Sequence, residues 1–238
     1  MKNIFISVLL LNIVSFQVIA ETKIYFTTGF TPPVSTFFDS VLKEIDQRLP
    51  DISINFEALP AERSLVLSNE GTNDGECCRI PAVVTPTYKN LIPINESFFS
   101  ARFSAFCKNK ATPIKTFSEL KPYSVGSVKG WKIAVIQIKK VNPAEVHIVT
   151  TPEQLFKMID KGRLDYGVVG YLSGLKSIAN LKLNNIKAIE PPLIEKPLFL
   201  MLHKKHKNLI PEFNHVIAKM KKDGSIKKLY VQLLKSIE

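Results

Sequence analysis

The stretch "NDGECCRIPA" at 73–82 places an acid, two adjacent cysteines and an arginine side by side, and three chemistries compete for it. Thiols invite a redox or a metal reading, and a guanidinium at the end of a strand invites an anion-binding one. Spacing decides against the first two. Cys77, Cys78 and Cys107 form no Cys-x-x-Cys pair, and none of them pairs in sequence with His147, His203, His206 or His215 as a four-ligand zinc site requires. No metal and no cofactor is expected. Neighbouring side chains of a strand point to opposite faces, so a bond between Cys77 and Cys78 is not expected. A bond from either one to Cys107, and plain burial as small apolar side chains, both stay open. Arg79 is left as the member able to act, as a bidentate grip on a carboxylate or phosphate. Its structural alternative is a pair with Glu76 or Glu62.

Other residues could share such a site. Glu62 and Arg63 open a helix and read either as ligand contacts or as charges that complement the helix start. Trp131 follows Gly130 at the start of another helix, where an indole could stack on a ligand beside free backbone N–H groups, or anchor a core. Thr31, with Pro33, shapes a lip after the first strand. Catalysis would need a general acid or base. Glu62, Glu76 and Asp165 are available, yet none is paired with a histidine at telling spacing. There is no Gly-x-Ser-x-Gly elbow and no His-Glu-x-x-His helix. The chain is therefore expected not to be an enzyme, with a dehydratase or lyase as the rival.

The chain has 238 residues and a formal charge of +11. Lys2, an apolar run from Ile4 to Val14 and the compact Val18-Ile19-Ala20 have the order of a secretory signal peptide cleaved near Ala20. An uncleaved anchor would need about 20 uninterrupted apolar residues, and Asn12, Ser15 and Gln17 interrupt this run. The expectation is a periplasmic protein. The lysines are scattered, with the densest groups at 204–207 and 219–228, where a solvated helical face is expected. No aromatic interleaving marks a nucleic-acid surface, and nucleic acid is not an expected partner.

Two α/β units follow from the periodicity. "KIYFTT" (23–28) and the alternating "ISINFEA" (52–58) read as strands. Between them, from Val34 to Leu49, Phe37, Phe38, Val41, Leu42, Ile45 and Leu49 recur at helical spacing. A helix over 62–69 closes at Gly71, and "DGECCRI" reads as a third strand. A long extended segment at 97–108 leads to a second unit, with strands at 123–128, 145–149 and 164–169 and helices near 131 and over 152–161. A second long strand, "KPLFLMLHKK" (196–205), returns the chain to helices at 211–221 and 225–237. This order implies mostly parallel sheets with crossover helices, and ligands gather outside the carboxyl ends of such strands.

Four segments, "GFTPP" (29–33), "NEGTNDG" (69–75), "GRLDYGVVG" (162–170) and "KKDGSIKKLYVQLL" (221–234), make the chain similar in order and spacing to the extracellular solute-binding proteins of the amino-acid type. These form solute-binding family 3, the receptors of ABC importers. The resemblance implies an α/β, two-lobed type 2 periplasmic-binding-protein fold, each lobe a mostly parallel sheet flanked by helices. Lobe 1 would comprise 21–108 plus 192–238 and lobe 2 residues 109–191. It implies a monomeric receptor that closes by hinge motion on a small anionic or zwitterionic solute and delivers it to a membrane permease. The alternative within the same fold is a sensor that signals to a membrane partner. Two departures bear on the ligand. The family's Thr-x-x-Arg clamp falls on "VTPTYKN" (84–90), which has no arginine, and the family's second aspartate falls on Gly170. Tyr171 adjoins that vacated position and reads as a hydroxyl donor to a ligand or as packing.

Overall fold

A computed structural model describes residues 21–109, 112–129 and 131–237. The expected signal peptide and Gly130 lie outside the described residues.

The first sheet is built from β1 (Thr22–Thr28), β2 (Ile52–Ala58) and β3 (Gly75–Arg79). β1 lies in the middle and pairs in parallel with both β2 and β3. The connections are α1 (Val34–Arg48) and α2 (Ala61–Glu70). The helical spacing seen in the sequence buries Phe37, Phe38, Val41, Leu42 and Ile45 of α1, while Leu49 falls just past the helix end and is only half-buried. α2 stops at Gly71, whose φ of 82° only glycine adopts at little cost. A short helix α3 (Pro81–Val84) and a three-residue strand β4 (Leu91–Pro93) follow β3.

Two long strands join this sheet to a second one. β5 (Phe99–Lys108) and β10 (Ile194–His203) run antiparallel, with Phe99–Phe103 opposite Leu198–Ile194. Beyond that ladder β10 pairs with β3 and β4, while β5 pairs with β8 (Tyr166–Gly170) and β9 (Ile186–Ala188). Pro197 sits in the stretch of β10 that has only β5 as neighbour, so its missing N–H removes no bond from a central ladder. The second sheet continues with β6 (Ser124–Val128), parallel to β8 on one side and to β7 (Glu145–Val149) on the other. Its crossovers are α4 (Lys132–Val141) and α5 (Pro152–Asp160), and α6 (Tyr171–Leu181) follows β8. The result is one continuous path, β2-β1-β3-β10-β5-β8-β6-β7. α7 (Ile210–Lys222) and α8 (Ser225–Lys235) return to the first sheet, where Phe213, Val216, Ile217 and Met220 join the α1 core.

Several details differ from expectation. The second long strand begins at Ile194 and ends at His203, and Lys204–Leu209 form a 3-10 turn. There Lys205 and His206 are not wholly a solvated face, because both reach Asp74 at 2.7 Å. Burial pushes the Asp74 carboxyl up, but Lys205, His206 and the Tyr25 N–H outweigh it and hold it below the usual range. The helix α6 has no counterpart in the sequence reading. Cys107 packs in the second sheet's core, separate from the core holding Cys77 and Cys78, and none of the three is bonded to another. The open pairing with Cys107 is thus not made.

The expectation that Cys77 and Cys78 face apart is also overturned: their Sγ atoms lie 2.6 Å from each other. The ladder explains this. Phe199 pairs with Arg79 and Met201 with Glu76, so Cys77 and Cys78 together oppose Leu200 alone. That is a β-bulge, where strict alternation of side chains does not survive.

At the α7–α8 junction Asp223 accepts from the backbone N–H of Ser225 at 2.9 Å and from Arg48 Nη1 at 2.6 Å. The Ser225 hydroxyl, then Arg48 and the Ser225 N–H, lower the Asp223 carboxyl to about 2. A depressed carboxyl contributes stability that is complete above its unfolded value and is lost as pH falls through its folded value. The Asp223→Asn protein should therefore melt below the parent at neutral pH. The gap should close between about pH 4 and pH 2, as read by melting temperature across an acid series.

Candidate functional site

The carboxyl ends of β1, β6, β7 and β8 open toward one place. The loop after β1 supplies Thr31, Pro32 and Pro33. Across from them stand Val128 and Trp131 after β6, Pro152 and Glu153 at the start of α5, and the face of α6 carrying Ser173, Lys176, Ser177 and Asn180. These residues enclose a pocket of about 330 Å³. Its walls come from both sheets, as expected for ligands at the ends of parallel strands.

Each wall has a local cause. Thr151 caps α5 by accepting from the Gln154 N–H at 3.2 Å, and Pro152 occupies the first turn, where a missing N–H costs nothing. This fixes Glu153 at the pocket, and the buried Ser177 donates to its carboxylate at 3.0 Å. Ser173, Lys176, Ser177 and Asn180 fall three and four residues apart, which puts them on one side of α6. Trp131 stands edge-on to Phe103 of β5, with ring centres 6.0 Å apart. The pocket thus combines one carboxylate, one ammonium, two accessible hydroxyls, an amide and an indole face. Such a set can hold a small solute that carries both charges, with an apolar surface for its remainder.

Outside the pocket lining, at the carboxyl end of β3, lies a second group of charges. The Arg79 guanidinium sits 5.6 Å from the centre of the Phe30 ring. Its Nε donates to Glu76 Oε1 at 2.7 Å, and its Nη2 also reaches Glu76 and, at 3.4 Å, the Ala61 carbonyl. Nη1 has no hydrogen-bond partner among the described residues. Glu76 is fully buried and accepts from the Ser64 hydroxyl and from Thr27 Oγ1 at 3.5 Å. Burial pushes the Glu76 carboxyl up, opposed by Arg79, Ser64 and the Gly29 N–H. Gly29 is required here, since a Cβ would strike both Ala61 and the Arg79 guanidinium.

The residues singled out from sequence are therefore only partly gathered. Thr31 and Trp131 line the pocket. Arg79 is not among the lining residues; it is anchored to Glu76, as its structural alternative foresaw. Glu62, exposed, accepts from the Tyr88 hydroxyl, and this bond raises the Tyr88 phenol. Tyr88 belongs to the "VTPTYKN" stretch on which the family's arginine clamp falls. Arg63 is exposed and has no side-chain hydrogen bond or ion pair among the described residues. Tyr171 lies under Arg102, 4.6 Å from guanidinium carbon to ring centre, and Arg102 in turn holds Glu190 at 2.8 Å and 2.9 Å. Tyr171 is packed against both neighbouring cores, which gives it a packing role. Glu153, Ser173 and Lys176 were missed by the sequence reading. A larger cavity, about 430 Å³, lies between the β5–β10 crossing and α8, lined by Arg102, Glu195 and Tyr230 among others; it is not at the carboxyl ends of the strands.

No protein-family model matches the chain, and no curated protein matches it by sequence. Solved structures do match in fold. A probable amino-acid ABC transporter extracellular-binding protein, ytmK of Bacillus subtilis, superposes with a TM-score of 0.75 at 16% identity, covering 90% of this chain and 98% of its own. The L-cystine solute receptor of Neisseria gonorrhoeae, in its unliganded open conformation, gives 0.70 at 16% identity over 90% and 92%. A histidine kinase sensor domain with similarity to periplasmic binding proteins gives 0.67 at 13% identity over 90% and 96%. The chain thus has the two-lobed α/β fold of periplasmic binding proteins.

The buried Glu76–Arg79 pair carries a stability prediction. Removing one partner of such a pair leaves the other charge uncompensated, at about 3–5 kcal/mol. Glu76→Ala should lose stability in that range by urea unfolding. Glu76→Gln should lose less, because its amide oxygen still accepts from Ser64 and the Gly29 N–H.

Proposed function

We propose that this chain is an exported receptor that closes its two lobes on a small zwitterionic or anionic solute and delivers it to an ABC importer. The observation that carries the reading is the pocket at the strand ends of both sheets, where Glu153 and Lys176 present opposite charges beside Trp131. Glu153 would take a cationic group, standing in for the carboxylate that the resemblance expects at Gly170. Lys176, with the unpartnered Nη1 of Arg79 nearby, would take an anionic one. The expected lobe limits, 21–108 plus 192–238 and 109–191, shift to the β5–β10 ladder in this reading, because Ala105, Phe106 and Cys107 pack with the second sheet. Export rests on the order of residues 1–20, the periplasm is the place of action, and the receptor works as a monomer without catalysis.

The second reading, a sensor that hands its occupied state to a membrane signalling protein, is favoured by the likeness to a histidine kinase sensor domain. Both readings use the same closed lobes, so a permease and ATPase that co-purify with the liganded chain would support transport. Co-purification of a kinase instead would support sensing.

Trp131 is the only tryptophan in the chain, so its fluorescence reports the pocket. A panel of amino acids, small carboxylates, phosphates, sugars and muropeptides should contain one class that shifts Trp131 emission. At concentrations far above its dissociation constant, that class should also raise the melting temperature. Glu153→Gln and Lys176→Gln should each weaken that solute, and Arg79→Ala should weaken an anionic one by about 1.5–3 kcal/mol, the range of a charged hydrogen bond. If Arg79→Ala lowers stability and leaves affinity untouched, Arg79 serves Glu76 alone. If no solute of the panel moves either signal in a folded protein, the receptor reading fails for these classes.

A further inference from the structure

Cys77 and Cys78 have no place in the solute site, yet their arrangement is unlike that of inert core cysteines. Both are fully buried in the first sheet's core. They are the two residues of the β-bulge opposite Leu200, which turns both side chains to one side. Their Sγ atoms stand 2.6 Å apart, while non-bonded carbon atoms settle at about 3.5–4.0 Å and sulfur is larger. Cys107, the sole remaining thiol, lies in the other core. Each of the pair therefore has only the other within reach.

We infer that Cys77 and Cys78 are a covalent modification site: in the exported protein they are joined to each other as a vicinal disulfide within the β3 bulge, between Glu76 and Arg79. The inference rests on the export reading for its oxidising surroundings. The oxidant is a disulfide, either that of a thiol–disulfide oxidoreductase or glutathione disulfide. One cysteine thiolate attacks a sulfur of that disulfide and expels the other as a thiolate. The second cysteine thiolate then attacks the mixed disulfide and expels the remaining sulfur. One S–S bond breaks in the oxidant and one forms between Cys77 and Cys78. The two electrons and two protons leave with the oxidant as two thiols.

Timing follows from burial. Desolvation pushes the Cys77 thiol well up and the Cys78 thiol up, and thiolate is the attacking form. The folded, reduced chain therefore reacts slowly with an oxidant, and the bond closes before the pair is fully buried. Once closed, it fixes the bulge that precedes Arg79 in β3.

The test uses the full chain, expressed with its own first twenty residues in a bacterial host, fractionated, acid-quenched, denatured and alkylated with and without reductant. Periplasmic protein should take one alkyl group without reductant, mapped to Cys107, and three after reduction. The unreduced peptide spanning 77–78 should be two hydrogens lighter than its dithiol form. The Cys107→Ser variant should take none without reductant. Three alkyl groups on unreduced periplasmic protein, or a bond from Cys77 or Cys78 to another chain, overturns the inference. If the chain is not exported, the export reading fails separately, and oxidative refolding of the reduced, denatured chain with glutathione disulfide then decides. Closure of the 77–78 pair supports the inference; persistent free thiols or glutathione adducts at Cys77 and Cys78 overturn it.

Discussion

The architecture depends on β10, the one strand among the described residues that is hydrogen-bonded into both sheets. Its first half lies against β5 and its second half completes the β3 and β4 side of the first sheet. The pocket walls from the first sheet and from the second are held in register by this shared strand and its antiparallel neighbour. Any movement of one wall relative to the other must be absorbed where these two strands cross, and a change of a few dihedral angles there is the usual origin of a hinge. Pro197 and the unshared stretch of β10 fall at that crossing.

A second constraint acts at the mouth of the first sheet. Glu76 carries a charge to a position without water, and the fold surrounds it with donors from β1, α2 and the loop at Gly29. A carboxylate so placed ties three segments to one point, since its removal would leave the Arg79 guanidinium and the Gly29 N–H to find other partners. Arg79 inherits its orientation from this arrangement. The guanidinium is held by Nε and Nη2 and leaves Nη1 uncommitted, so a residue with a structural duty still has one donor to offer.

Much of this was legible in the sequence because the signals were local. The alternation of "ISINFEA", the helical spacing of Phe37 to Ile45, the Thr151–Pro152 start of α5 and the stop at Gly71 all follow from backbone and side-chain preferences within a few residues. α6 was not legible because its Gly174 breaks the helical pattern. That glycine exists for a distant reason: a Cβ would run into the Phe106 ring. Lys176 and Ser173 disappeared with the helix that carries them, and Glu153 was masked by its ordinary reading as an acid in a first turn. The two cysteines were misread because a bulge depends on the register of β10, more than a hundred positions away in the chain. Alternation is local, and the interruption of it is not.

The pairing of Phe199 with Arg79 also governs how the molecule can be made. β1, β2 and β3 form early in the chain, but the strand that covers β3 and the helices that seal the α1 core arrive only with the last segment. Contacts of such sequence separation carry a large loop-closure cost before they return any stability, and they slow folding. The first sheet therefore waits, with an open edge at β3 and an unsealed core, until nearly the whole chain is available. A polypeptide that cannot finish its first sheet early keeps an unpaired strand edge and apolar surface open for longer, and a guard against premature aggregation is valuable over that interval.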